Sequence, residues 1–281
     1  MHFAYNIGIR LSLDEVSLSK GELYTFLTNK EGKGKKGTLV SCTKGTLSKD
    51  IIQTIKKIPQ EQRDLVEEVT IDMARNMESA VKECFPNAKI VTDRFHVVKL
   101  VLDALQHIRV SHRWIAIDAE NEAIKVAKER GEKYVPEHFE NEDSPKQLLA
   151  RSRYILAKKR KDWTPTQIER AAILFREYPI LEQAYNHTLH FRSIYEATTK
   201  EKAAEQLEVW KQKNTELNLT KFNTAANTIK YNKENILNFF ENRSTNASAE
   251  SFNSKIKLFR ANLRGVSDTD FFLFRLSKLF A

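Results

Sequence analysis

The chain carries only two cysteines among 281 residues, Cys42 and Cys84, far apart and with no CxxC pair. That excludes a disulfide framework and a cysteine-built zinc site, and it fits a reducing compartment. Long hydrophobic runs are missing as well. No stretch approaches the roughly 18 consecutive apolar residues that a membrane span needs, and the opening "MHFAYNIGIR" lacks the apolar run and small-residue cleavage site of a secretion signal. A soluble, cytoplasmic protein with no membrane partner is expected. Neither a fixed-period repeat nor a low-complexity tract is present, and the block from about 146 to 240 contains no glycine. Acidic residues are the scarcer charge, 37 against 46 Lys and Arg, leaving a net charge of +9. That surplus favours a polyanionic partner, of which nucleic acid is the commonest.

What is present reads as strands first and helices afterwards. In "NIGIRLSLDE" the residues Ile7, Ile9, Leu11 and Leu13 alternate with polar ones, and "LYTFLT" and "GTLVSC" follow, the last two joined by the glycine-rich turn "NKEGKGKKG". This predicts a three-strand antiparallel meander. Asp14 falls opposite the apolar row, at the C-terminal end of the first strand. A helical stretch broken at Pro59, a short strand "EVTID" ending on Asp72, a helix stopped by Pro86 and a strand "KIVTD" ending on Asp93 come next. The order predicts a mixed α/β sheet. Beyond Asp93 the pattern is almost wholly helical: one long helix stopped at Gly131, then a second helical block, as expected of a bundle inserted ahead of the last helices. The expected division is 1–100 for the first part of the core, 101–240 for the helical insertion and 241–281 for the helices that complete the core.

The stretch "TNASAESFNSKIKLFRANLRG" sets one carboxylate, Glu250, among later charges that are all basic. Phe252, Ile256, Phe259 and Leu263 draw one apolar stripe at helical period, and Thr245 or Asn246 can cap the start. Counting about 100° per residue places Asn253, Ser254, Lys257, Ala261 and Arg264 within about 60° of Glu250, away from the stripe. A dipole-favoured surface glutamate would look the same. Two aspartates at strand ends and a glutamate on a helix also form the oxygen donor set that two divalent cations take in phosphoryl transfer. The surrounding cations would then hold a nucleic-acid backbone.

The string "FPNAKIVTDRFHVVKL", preceded by "VTIDMARNM" and followed far downstream by the Glu250 stretch, resembles the DDE transposases of bacterial insertion sequences, specifically the ISL group. The likeness continues through "SRYIL", "ILEQAYNH" and "LEVWKQK" and extends over nearly the whole chain. It implies a ribonuclease-H-like mixed sheet flanked by helices, with a large all-α insertion before the last catalytic helix. Carried over by position, it makes Asp14, Asp72 and Glu250 the catalytic, metal-binding carboxylates. Two Mg2+ ions, or Mn2+ in their place, would serve hydrolysis at the element's ends and strand transfer. Asp93 and His96 match a signature of Cys or Asp, two residues, then His, and are accessory candidates. Glu15 is an alternative first ligand, and a second scheme takes Asp72 and Asp93 as the two aspartates. Lys255, Lys257, Arg260, Arg264 and Arg94 are candidate contacts to double-stranded DNA, both element end and target, and a homodimer or larger complex is implied. Relatives of this kind carry a cysteine-rich and helix-turn-helix region ahead of the core, whereas this sequence starts almost on the first strand, so a separate DNA-recognition polypeptide is expected. The rival readings are a decayed or domesticated DNA-binding protein on the same fold and a structure-selective nuclease that never joins strands.

Each residue also has a plainer role open to it. Asp72 can cap the helix that follows, and Asp93 and His96 can form a structural pair. His187 and His190 have a metal-like spacing without further ligands nearby, and Trp210 is expected in a helical core rather than on DNA. The stretches "RSRYILAKKRKDW" and "KYNKENILNFFENR" mix aromatics with cations, which suits contact with an unpaired strand and equally suits a solvated helix face.

Overall fold

The computed structural model describes residues 1–19 and 21–281. Its strands are β1 (Arg10–Ser19), β2 (Glu22–Asn29), β3 (Leu39–Lys44), β4 (Glu68–Ile71) and β5 (Lys89–Thr92). Between them lie α1 (Ser48–Ile55), α2 (Gln60–Arg63) and α3 (Arg75–Cys84), and α4 (Arg94–Glu129) leaves β5. Then follow α5 (Pro145–Ala157), α6 (Pro165–Glu177), α7 (Pro179–Ile194), α8 (Lys200–Leu217), α9 (Thr220–Tyr231), α10 (Lys233–Leu237), α11 (Phe239–Asn242), α12 (Ala247–Asn262) and α13 (Thr269–Phe280). By contact the chain divides into one unit of Met1–Val97 with Asn232–Ala281 and a second of Val98–Tyr231.

The first unit is built on a mixed sheet of order β3-β2-β1-β4-β5. β1, β2 and β3 pair antiparallel, while β4 and β5 are parallel to β1, each reached through a helical crossover. This is the ribonuclease-H-like arrangement. Both faces are covered, which a partly parallel sheet requires. On one face Leu11, Leu13, Val69 and Ile71 pack on Ile51 and Ile55 of α1 and Met77 and Val81 of α3. On the other, Val16, Leu18 and Phe26 pack on Phe252 and Ile256 of α12 and Phe272 and Leu276 of α13. β1 therefore buries odd residues on the first face and even residues on the second, farther along. It does not end at Asp14, as the alternation predicts; it continues five residues to Ser19, still paired with β2, after its pairing with β4 has stopped at Ser12.

The second unit is helical. Trp210 is fully buried, stacks on His187 with ring centroids 4.6 Å apart and donates from Nε1 to the His187 carbonyl. His187 Nε2 meets Asn214 Oδ1 at 3.2 Å, and burial lowers its pKa to about 4, so the ring is neutral near pH 7. These two residues belong to a core. In "RSRYILAKKRKDW" Arg160 is likewise engaged: it lies over the rings of Trp163, Phe175 and Tyr185 and donates to Glu182.

Candidate functional site

Asp14 shares a strand face with Val16 and Leu18, the face that α12 covers. Continuing the parallel register of Leu11 with Val69 and Ser12 with Thr70 by two residues sets Asp14 beside Asp72. The charge of Asp72 acts on Asp14, in keeping with their adjoining where β4 ends. Asp72 is half-buried, and its Oδ1 accepts from the Ala74 amide at 2.7 Å, turning the chain into α3. Asp93 follows β5 directly, with its amide bonded to the Ile71 carbonyl at 2.8 Å. Its buried carboxylate receives His96 Nδ1 at 3.1 Å. Glu15, next to Asp14, falls in phase with Leu11 and Leu13 on the opposite face and is hydrogen-bonded to Asn76.

Electrostatics tie the group together. Burial raises the pKa of Asp14, with Asp72 adding to the rise, while the Glu15 amide, the Asn253 side chain and His96 oppose it. The hydrogen bond to Asp93 raises the pKa of His96 against its own desolvation, and Asp93, Asp72 and Asp14 add to that rise. A half-buried carboxylate beside a second one is a place where positive charge is favoured.

Glu250 lies in the first turn of α12, exposed, with its amide bonded to the Asn246 carbonyl at 2.9 Å. Its direction follows from its neighbours. Asn253 Nδ2 donates to Asp14 Oδ2 at 2.7 Å, and Asn246 Nδ2 reaches the same oxygen at 3.5 Å. Positions 246, 250 and 253 fall within about 60° on a helix, so Glu250 is bracketed by two residues that touch Asp14. Asn246 occupies the N-cap position, as expected, yet its side chain does not cap the helix; it is spent on Asp14. Of the expected apolar stripe, Phe252 and Ile256 are buried and Phe259 is half-buried, whereas Leu263 lies past the helix end and is exposed.

The donors are hard oxygens of the kind Mg2+ takes. The carboxamide oxygens Oδ1 of Asn246 and Asn253 are also buried without a hydrogen-bond partner, next to Asp14. Donor chemistry and shared face fit a divalent cation. The spacing is not closed around one: among the described residues no three His, Cys, Asp or Glu side chains stand together as a metal-holding group.

Among the basic residues, Lys257, Arg260, Arg264 and Arg94 are exposed. Arg260 reaches the Ser17 carbonyl at 3.4 Å. Lys255 is half-buried and donates to the Gly34 carbonyl at 2.5 Å, which makes it an internal tether. Sequence reasoning missed the roles of Asn246 and Asn253, although their spacing around Glu250 was there to be read. It also missed the buried pair of Lys30 and Glu68, 2.8 Å apart. Glu68 accepts from Asn242 in the segment that leads to α12, and the Lys30 carbonyl from Ser248 on α12 itself.

A family model described as transposase, that of the ISL3 group of DDE transposases, matches residues 11–276. No curated protein and no solved structure matches.

Proposed function

Because this chain belongs to that transposase family, a kind of enzyme that cuts and transfers DNA, we propose that its first unit is the catalytic core and that Asp14, Asp72 and Glu250 are its catalytic residues. The observation that carries the reading is the bracketing of Glu250 by Asn246 and Asn253, both on Asp14, with Asp72 just past the end of the neighbouring strand. This supports a reading in which three acids far apart in sequence serve one end of the sheet.

The reaction is hydrolysis of a phosphodiester at the end of an insertion sequence, followed by strand transfer. Water adds to phosphorus and the 3′-oxygen leaves as a hydroxyl; that hydroxyl then attacks a target phosphodiester and releases a second 3′-hydroxyl. Two bound Mg2+ ions, with Mn2+ as a substitute, would neutralise charge on the attacking and leaving oxygens. Asp14 and Asp72 supply the fixed negative charge that recruits cations, and Glu250 closes the site from the helix side. Lys257 lies on the face of Glu250 and would hold a phosphate beside the scissile one, whereas Arg264, past the end of α12 in a left-handed conformation, is a candidate contact farther along the backbone. His96, in the first turn of α4, holds the Asp93 carboxylate at 3.1 Å, and the two would serve as a positioning pair. Joining two element ends calls for a dimer or larger assembly on DNA.

Calorimetric titration of Mn2+ into the wild type, Asp72→Asn and Glu250→Gln, each with a nicked duplex, tests the reading. Two-site uptake by the wild type and loss of a site in each variant are expected. DNA binding without metal uptake in all three proteins would leave a non-catalytic DNA-binding protein.

A further inference from the structure

The turn between β2 and β3 spends three lysines, Lys33, Lys35 and Lys36, on four consecutive positions, all three exposed. None of them forms an ion pair among the described residues, and Glu31 is the one acidic residue in the turn. Such crowding of like charge is unfavourable unless a polyanion relieves it.

The turn is nonetheless rigidly built. A 3-10 turn over Lys30–Gly32 is capped by Asn29, whose Oδ1 accepts the Glu31 amide at 3.0 Å. The amides of Lys33, Lys35 and Thr38 close successive bonds back to Lys30, Gly32 and Lys35. Helix α12 then clasps it. Lys255 Nζ donates to the Gly34 carbonyl and Ser248 Oγ to the Lys30 carbonyl. Gly34 is buried at φ +70°, and a Cβ there would meet Lys255 Nζ at 3.1 Å and Ser251 Oγ at 3.3 Å, so the close approach needs glycine.

Residues 248, 251 and 255 lie on one flank of α12, roughly 100–160° around the helix from Glu250. The lysine turn is therefore fixed against α12 on the flank shared by Ser248, Ser251 and Lys255, with the exposed face that carries Glu250 and Lys257 farther round the same helix. We propose that Lys33, Lys35 and Lys36 form a preorganised phosphate-binding turn for duplex DNA, extending the track of contacts beyond α12 itself. Lys255 serves this surface from beneath, as the tether that holds the turn in place. Ordering the turn before the DNA arrives removes an entropic cost from binding.

The inference rests on the DNA-acting reading above, and its test keeps the two apart. Binding of a short fluorescein-labelled duplex of arbitrary sequence is followed by anisotropy across a series of NaCl concentrations. The proteins compared are the wild type, Lys33→Gln/Lys35→Gln/Lys36→Gln, and a charge-matched control, Lys125→Gln/Lys128→Gln/Lys133→Gln, whose lysines are exposed in the second unit. Each lost phosphate contact flattens the slope of log K against log salt by about 0.9, so the turn variant should be shallower by about 2 to 3 and bind more weakly at every salt. The control should keep the wild-type slope. Equal slopes in wild type and turn variant, or an equal change in the control, would overturn the inference and leave the DNA-acting reading standing. A wild type that does not bind the duplex at the lowest salt overturns both. Unchanged melting temperatures would show that the exposed substitutions leave the fold intact.

Discussion

Asn253 donates its side-chain amide to Asp14 at 2.7 Å across 239 residues of sequence, which makes this bond the most direct link between helix α12 and the acids of the sheet. Asn253→Leu keeps the approximate volume and removes the donor, leaving a half-buried carboxylate short of a partner. A loss of about 1–2 kcal/mol in urea unfolding is expected. Asn253→Asp puts a third carboxylate against Asp14 and Asp72, and should destabilise the metal-free protein further. Added Mg2+ should recover more stability in that variant than in the wild type, and equal recovery would count against a cation site at this position.

Stability should also depend on pH in a definite direction. The His96 pKa is raised, first by its hydrogen bond to Asp93, so its contribution is fully present below the unfolded histidine value and is lost as pH rises through the folded one. Asp14 is raised by burial, so its protonated form is favoured in the fold, and stability is likewise lost as pH rises through its folded value. The metal-free protein should therefore weaken from mildly acidic towards alkaline pH in urea titrations. His96→Gln should flatten the part of that profile above the ordinary histidine range and leave the more acidic part in place.

Lys30 and Glu68 form an ion pair in which the side chains are only 12% and 3% exposed. Lys30→Met would strand a buried carboxylate, at a cost of about 3–5 kcal/mol. Lys30→Met/Glu68→Met should recover most of that loss, because neither charge is then left unpaired. A double variant no more stable than the single one, in thermal or urea melts, would show that the pair acts mainly through its bonds to the segment leading into α12.

Much of this architecture is legible in sequence. Period-two alternation finds the meander, Pro59 and Pro86 end helices, and the short strands run into Asp72 and Asp93. The extent of β1 is not legible, because its buried residues change phase: Leu11 and Leu13 face α1 and α3, whereas Val16 and Leu18 face α12 and α13. An alternation rule assumes one buried face, and this strand buries both in turn. Asn246 reads as a cap for a related reason. Sequence alone shows an asparagine ahead of a helix, and only the fold brings a carboxylate from β1 near enough to compete for it. Asp72 and Glu250 could be singled out from pattern and resemblance. The influence of Asp72 on Asp14, and the contacts of Asn246 and Asn253 with it, depend on strand register and helix docking, which are properties of the folded chain.

The first unit is made of two pieces of chain, residues 1–97 and 232–281, with the whole second unit encoded between them. Synthesis runs from the N-terminus, so Asp14 and Asp72 leave the ribosome long before Asn246, Glu250 and Asn253 exist. Until then β1 has no helix on the face that holds Asp14, and Phe26, Val16 and Leu18 lack the side chains of α12 and α13 that cover them. A polypeptide truncated anywhere in the second unit holds the two aspartates and lacks the glutamate. An enzyme that cuts DNA through these acids would thus stay inert as a fragment, with its chemistry withheld until nearly the last part of the message has been read.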